Sequence, residues 1–404
     1  MNNKNLWLAI TVSALGYFVD VYDIILFSAV RIPSLRSLGL PEEQITTIGL
    51  RLINLQLIGM LLGGISWGIL GDKKGRLSIL FGSIFLYSSA TLANAFVSNV
   101  ETYGLLRFIA GFGLAGEMGA GITLVNELMT KEKRGYGTMI IATSGIFGGI
   151  AGGLVGNFLT WQTAYILGGI GGFLLLFLRM GVVESGLFVN LKNQTQVAKG
   201  SLLLFFKTPA LLSKYLKCLL VGVPFWVFIG LFMALAPELG KALNIAGPIT
   251  AAWAILFFNI GLGFGDLSSS LLSQILGSRK KAIMTYLSIT FIAVISFLSL
   301  QNASTTLFYF FCALLGLGSG SWAIFIMIAA EQFGTNLRAT VATSLPNFVR
   351  SMGIPFMAIL SMLKPQFGIL WGLGIIAISS IVLAFIAISS LKETFATSLD
   401  FVES

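Results

Sequence analysis

The chemistry open to this sequence rests on a few charges set inside apolar runs. Asp20 and Asp23 lie near the middle of residues 6–30, a run long enough to cross a hydrocarbon core as a helix. Three residues apart, they share one helix face. A carboxylate at that depth is costly unless it meets water, a cation or a proton. The bland alternative is a paired or snorkelling structural acid; the functional one is a proton or substrate site facing a cavity. Arg107 and Glu117 in the fourth run, Asp266 in the eighth and Arg350 in the eleventh are the other charges near mid-depth. With no histidine in the chain, proton chemistry falls to carboxylates.

These charges also speak to the substrate. Asp20, Asp23, Glu117 and Asp266 stand against Arg107 and Arg350, an excess of two negative charges if all are ionised. Such a field attracts cations, protons included. The expected substrate is then cationic or zwitterionic, such as an amino acid, or one of the acids is protonated during the cycle. Asp23 and Glu117 would meet its cationic part and Arg350 its carboxylate, with Asp266 also at the substrate site and Glu117 a second candidate for proton coupling. The field requires that Glu117 and Asp266 face the cavity and not packed interior. Purely structural pairing of Asp266 with Arg350 is the competing reading. Trp226 and Trp322 suit an ammonium by cation–π attraction or simple packing equally well.

The elements that must position these side chains follow from composition. The chain of 404 residues is 56% hydrophobic and 10% charged, far from the roughly 25% charge of soluble domains. Twelve apolar spans are expected, roughly 7–30, 46–70, 77–97, 103–128, 136–160, 163–183, 215–238, 248–276, 281–300, 304–331, 339–363 and 367–391. Lys and Arg gather after the even-numbered spans and around the middle loop, as at Lys73, Lys74, Arg76, Lys131, Lys133, Arg134 and Lys280. That bias puts both termini and the middle loop in the cytoplasm, and explains the net charge of +9 without nucleic acid. No cleavable signal is expected, and Cys218 and Cys312, in or beside apolar spans, do not suggest disulfides. The chain divides into a six-helix bundle at 1–184, a linker at 185–213 and a second bundle at 214–404. The halves repeat: Glu127 and Arg134 recur as Glu331 and Arg338, Gly111 and Gly113 as Gly316 and Gly318. The glycines of the fifth span, Gly145 to Gly156, read as a packing device.

Gly68-Ile-Leu-Gly71-Asp72-Lys73-Lys74-Gly75-Arg76 joins the second and third spans. Its glycines permit a tight turn, and Asp72 can meet the positive N-terminus of a helix from the other bundle. The loop resembles the signature of the major facilitator superfamily, where it acts as a cytoplasmic latch. In the second copy, Leu276-Gly-Ser278-Arg279-Lys-Lys281, Ser278 replaces the acid. The fourth span, from Arg107-Phe-Ile-Ala-Gly111 to Gly116-Glu117, resembles the metabolite–proton symporter and sugar-porter branches. The resemblance implies an all-α membrane protein with two pseudo-symmetric six-helix bundles, working by alternating access in a bacterial-type inner membrane. It also implies that Arg107 tunes a first-helix acid, for which Asp20 is the first choice. In this fold Trp226 and Trp322 occur on cavity-lining helices. Gly71, Asp72, Arg76, Glu127, Arg134, Glu331 and Arg338 are expected at a cytoplasmic gate.

The reading is proton-coupled symport of a small amine or amino acid, with protons, the solute and the lipid bilayer as partners. Two fused bundles make a complete transport unit, so a monomer is expected; no cofactor or metal is. A sugar or organic-anion transporter, a drug or metabolite exporter and a transporter-like sensor are the alternatives. No proline lies between Arg134 and Glu184, against an exporter. ATP-driven transport is disfavoured without a nucleotide-binding loop, and an enzyme without histidine or a visible metal cluster.

Overall fold

The computed structural model describes residues 3–130, 134–181, 208–397 and 401–403. Among them the chain is helical throughout, with one isolated bridge, Ala246 to Ser304, and no strand. This is what apolar backbone without water requires, because a helix satisfies its own N–H and C=O groups. The helices are α1 (Asn3–Ser37), α2 (Glu42–Lys74), α3 (Arg76–Asn94), α4 (Val100–Leu114), α5 (Glu117–Leu128), α6 (Arg134–Phe158) and α7 (Trp161–Leu178). After the middle segment come α8 (Pro209–Val227), α9 (Ala236–Ala242), α10 (Ala251–Leu276), α11 (Arg279–Leu298), α12 (Thr305–Ser319), α13 (Trp322–Glu331), α14 (Arg338–Ser351) and α15 (Gly353–Ser390).

Ten separate runs are long and apolar enough to span a membrane. An eleventh, Thr340–Ser390, has 51 residues and turns at Gly368 (φ 69°), room for two crossings. The twelve expected spans are therefore all present, but several are not single helices. The fourth span is α4 plus α5, interrupted at residues 115–116. The tenth is α12 plus α13, interrupted at 320–321. The two interruptions lie 205 residues apart, the offset of the glycine pairs at 111/113 and 316/318. The eleventh span is interrupted at Met352, between α14 and α15. Among the described residues, five helices begin with a side-chain cap: Asn99, Thr160, Thr250, Ser278 and Ser304 each accept from the N–H three residues on.

By contacts the chain forms two compact units. One is Met1–Lys207 with Phe333–Ser351 and Thr397–Ser404; the other is Thr208–Gln332 with Met352–Ala396. In the first, α6 lies on α1 through its glycines, with Gly148 against the Phe18 backbone, Gly152 against that of Tyr22 and Gly156 against Ala29. α14, with its preceding loop, belongs to this unit and packs on α2 and α5. The second unit has an aromatic core that includes Phe228, Phe232, Phe258, Phe297 and Phe308. Four residues after Pro224, the seventh span passes through a π-helix, Phe228–Phe232, a usual place for a bend.

One end of the second unit is closed by the residues that follow its last helix. Ser278 caps α11 by accepting from Lys281 N at 3.2 Å. Glu393 lies over the same helix end. Its carboxylate accepts from the Ser278 hydroxyl, from Arg279 N (2.9 Å) and Lys280 N (3.2 Å), and from Thr394 N and Phe395 N. The acid missing from the second loop copy is thus supplied 115 residues later in the chain. Burial works against the charge on Glu393, but these donors outweigh it and hold its carboxyl below the usual carboxylate range.

Candidate functional site

The site begins on α1, where the 3.6-residue turn brings Asp20 and Asp23 to one face, both buried. Their partners differ. Arg107 of α4 donates to Asp23 at 2.9 Å, and Thr91 of α3 donates to its other oxygen at 3.0 Å. Arg107 is caged as well as paired, lying 4.9 Å from the Phe27 ring centroid and 5.5 Å from that of Tyr165. Arg107 therefore sits on Asp23, not on Asp20 as the family resemblance suggested. The two acids are a turn apart, and spacing alone does not choose between them.

Asp20 faces Arg350 instead, at 3.6 Å. That is an ion pair beyond hydrogen-bond reach, and neither Asp20 oxygen has a hydrogen-bond partner among the described residues. Arg350, in the last turn of α14, makes a marginal 3.4 Å contact with Asn347 Oδ1. The Asn347 amide donates to Ala115 O at 3.0 Å, in the interruption of the fourth span.

Glu117 is the first residue of α5. Arg179, just past α7, grips it through two contacts of 2.9 and 2.5 Å, and Ser83 donates to it at 2.8 Å. Arg179 also donates to Leu80 O at 2.8 Å. Glu117 is thus held among α3, α5 and the end of α7 inside one unit. The condition for a negative cavity fails here. Arg179, absent from the expected charge count, neutralises Glu117 as Arg107 neutralises Asp23. An arginine after Leu174-Leu175-Leu176-Phe177-Leu178 was the available signal, but its place at a span end gave it the look of a boundary residue.

In the second unit Asp266 accepts from Ala323 N at 3.2 Å and so caps α13, where the tenth span restarts. Trp322 stacks on Phe225 with centroids 4.2 Å apart and planes 22° apart. Both line a small cavity of about 20 Å³ with Thr290, Ser319, Ser321 and Phe325, and the buried Trp322 Nε1 has no hydrogen-bond partner among the described residues. Trp226 lies against Gly230 and Gly353, outside that lining.

The residues expected at a gate have specific partners. Asp72 accepts from Thr340 N (2.8 Å) and the Thr340 hydroxyl (2.6 Å) in the first turn of α14. Gly71 O accepts from Gly75 N, a glycine at φ 102°. Arg338 pairs with Glu127 at 3.2 Å, while Glu331 lies 3.7 Å from Arg279 and accepts from the Thr394 hydroxyl at 2.7 Å. The side chains of Arg76 and Arg134 lie outside the described residues. Among the described residues no group of His, Cys, Asp or Glu is arranged to hold a metal.

The profile of the Major Facilitator Superfamily matches residues 6–358. The chain belongs to this superfamily. Like other superfamily members it is a multi-pass secondary transporter and not an enzyme. Among its superfamily relatives, the putative niacin/nicotinamide transporter NiaP of Bacillus subtilis (strain 168) is 26% identical over 357 residues, covering 85% of each chain. The sialic acid transporter NanX of Escherichia coli (strain K12) is 25% identical over 303 residues, covering 72% of this chain and 71% of that one. The solved superfamily structure of the proton:xylose symporter XylE superposes with a TM-score of 0.77 at 17% identity, covering 99% and 98% of the two chains.

Proposed function

We propose that this transporter carries a small organic acid inward together with a proton. The observation that carries the reading is the contrast among the buried acids of the first unit. Asp23 and Glu117 are hydrogen-bonded to arginines, whereas Asp20 has no hydrogen bond and a cation only at 3.6 Å. A buried carboxylate without donors is the one most ready to accept a proton. The expected amine or amino acid loses its support, because the acids that were to hold its cation are already occupied. Niacin and sialic acid, named for the relatives above, both carry a carboxylate, and Arg350 is a cation suited to one. In the second unit, taken alone, the stacked Phe225 and Trp322 and the unpartnered indole N–H would suit a ring with a hydrogen-bond acceptor. Asp72, Glu127 and Arg338 would serve as gate residues and not as ligands.

The test is uptake into proteoliposomes with acid outside, using labelled niacin, sialic acid, benzoate, arginine and xylose. Accumulation of an acid that collapses when the pH gradient is dissipated is the expected result. Accumulation of arginine or xylose in place of the acids would overturn it.

A further inference from the structure

Resting on that reading, we infer that Arg350 is a counter-ion shared in turn by two carboxylates, that of Asp20 and that of the substrate, so that one proton crosses with each monocarboxylate and the cycle moves no net charge. Three observations point there. Asp20 is fully buried, and its one ion-pair partner among the described residues is Arg350 Nη2 at 3.6 Å. The other charges that face Asp20, Asp23 on its own helix and Glu117 on α5, are committed to Arg107 and Arg179. The Arg350 side chain keeps 5% exposure where Asp20 has none, so of the two partners the guanidinium is the one nearer to open space.

The charge accounting follows from burial. In the empty site Arg350⁺ balances Asp20⁻. A proton taken from water forms an O–H bond on Asp20 and leaves Arg350 without a counter-ion. A deprotonated substrate then presents its two oxygens to the guanidinium, which has five N–H donors. The loaded site holds Arg350⁺, the substrate carboxylate and neutral Asp20, and is again balanced. Either half-loaded state leaves one buried charge uncompensated, and such a state is strongly disfavoured within the membrane. Only the empty and the doubly loaded carrier are then fit to change conformation, and that makes the coupling obligatory.

The test needs no variant at first. Wild-type protein in liposomes is given labelled niacin under a pH gradient without a potential, then under a potential without a pH gradient. For each net charge carried, a potential of about 100 mV shifts accumulation roughly 50-fold. The expected result is accumulation with the pH gradient and none with the potential. Asp20→Asn mimics the protonated acid, so it should keep niacin exchange at equal concentrations and lose pH-driven accumulation. Arg350→Gln should lose exchange of the acid, and Arg350→Lys should recover part of it. Potential-driven accumulation overturns the inference, as does accumulation surviving in Asp20→Asn, or loss of exchange in an Asp20→Asn protein that still elutes as a folded monodisperse species. If the wild type moves none of the acids under either gradient, the organic-acid reading itself falls, a different failure from the wrong driving force.

Discussion

At the scale of single residues, burial and pairing sort four mid-membrane acids into different jobs. Glu117 and Asp23 are hydrogen-bonded to arginines, Asp266 to a backbone amide, and Asp20 meets Arg350 only at 3.6 Å, without a hydrogen bond among the described residues. Removing one partner of a buried ion pair costs about 3–5 kcal/mol, since the other charge is left behind. Glu117→Gln should therefore lower thermal stability in detergent sharply, and Glu117→Met with Arg179→Met should regain much of it. If Glu117→Gln keeps its stability but changes substrate preference, Glu117 touches the solute after all. The acids themselves were legible, because a carboxylate in an apolar run stands out in any sequence. Their partners were not. Asp23 finds Arg107 84 residues away, and the choice between Asp20 and Asp23 depends on which side of a helix turn α4 passes.

Elements show the same division between what is local and what is not. The glycines at 111/113 and 316/318 were visible as a repeat, and each pair stands just before an interruption in its span. The interruptions themselves need tertiary partners that the repeat does not reveal: Arg179 and Ser83 on Glu117 in one half, Asp266 on Ala323 N in the other. Asp266→Asn keeps an acceptor for that amide and should leave transport close to wild type. Asp266→Ala removes it and should cost about 1 kcal/mol of stability, as loss of a helix cap does; thermal melts of the two variants check this. Equal loss in both would assign Asp266 a role that depends on its charge.

The Glu393 clasp gives a prediction with a pH sign. Its carboxyl is held below the usual range in the folded protein. Its contribution to stability is therefore present above its unfolded pKa, about 4.3, and fades as pH falls through the lower folded value. The melting difference between wild type and Glu393→Gln should be largest at neutral pH and shrink on acidification. A difference that grows toward low pH would contradict it. The sequence showed the missing acid at Ser278 but gave no pointer to its replacement, because spacing says nothing about a contact made from beyond the twelfth span.

For the whole molecule, twelve crossings were legible because lipid leaves an apolar segment few choices but the helix. The membership of α14 was not. Residues 333–351 pack with the first unit, although the sequence repeat groups them with the second half, and only tertiary contact decides that. Orientation follows from charge: exposed Lys73 and Lys74 should face the cytoplasm, and exposed Gln301, in the loop between α11 and α12, the outside. A cysteine at Gln301 should react with an impermeant maleimide on intact cells and one at Lys73 only after permeabilisation. Cys218 and Cys312 are buried and should stay silent in both. The Glu393 clasp also bears on biosynthesis. At ribosomal speeds the 115 residues from Ser278 to Glu393 take roughly ten seconds to make. Until then the start of α11 lacks its carboxylate. A chain truncated before residue 393 would carry all its crossings and yet leave the start of α11 unfinished, a lesion open to membrane quality-control proteases.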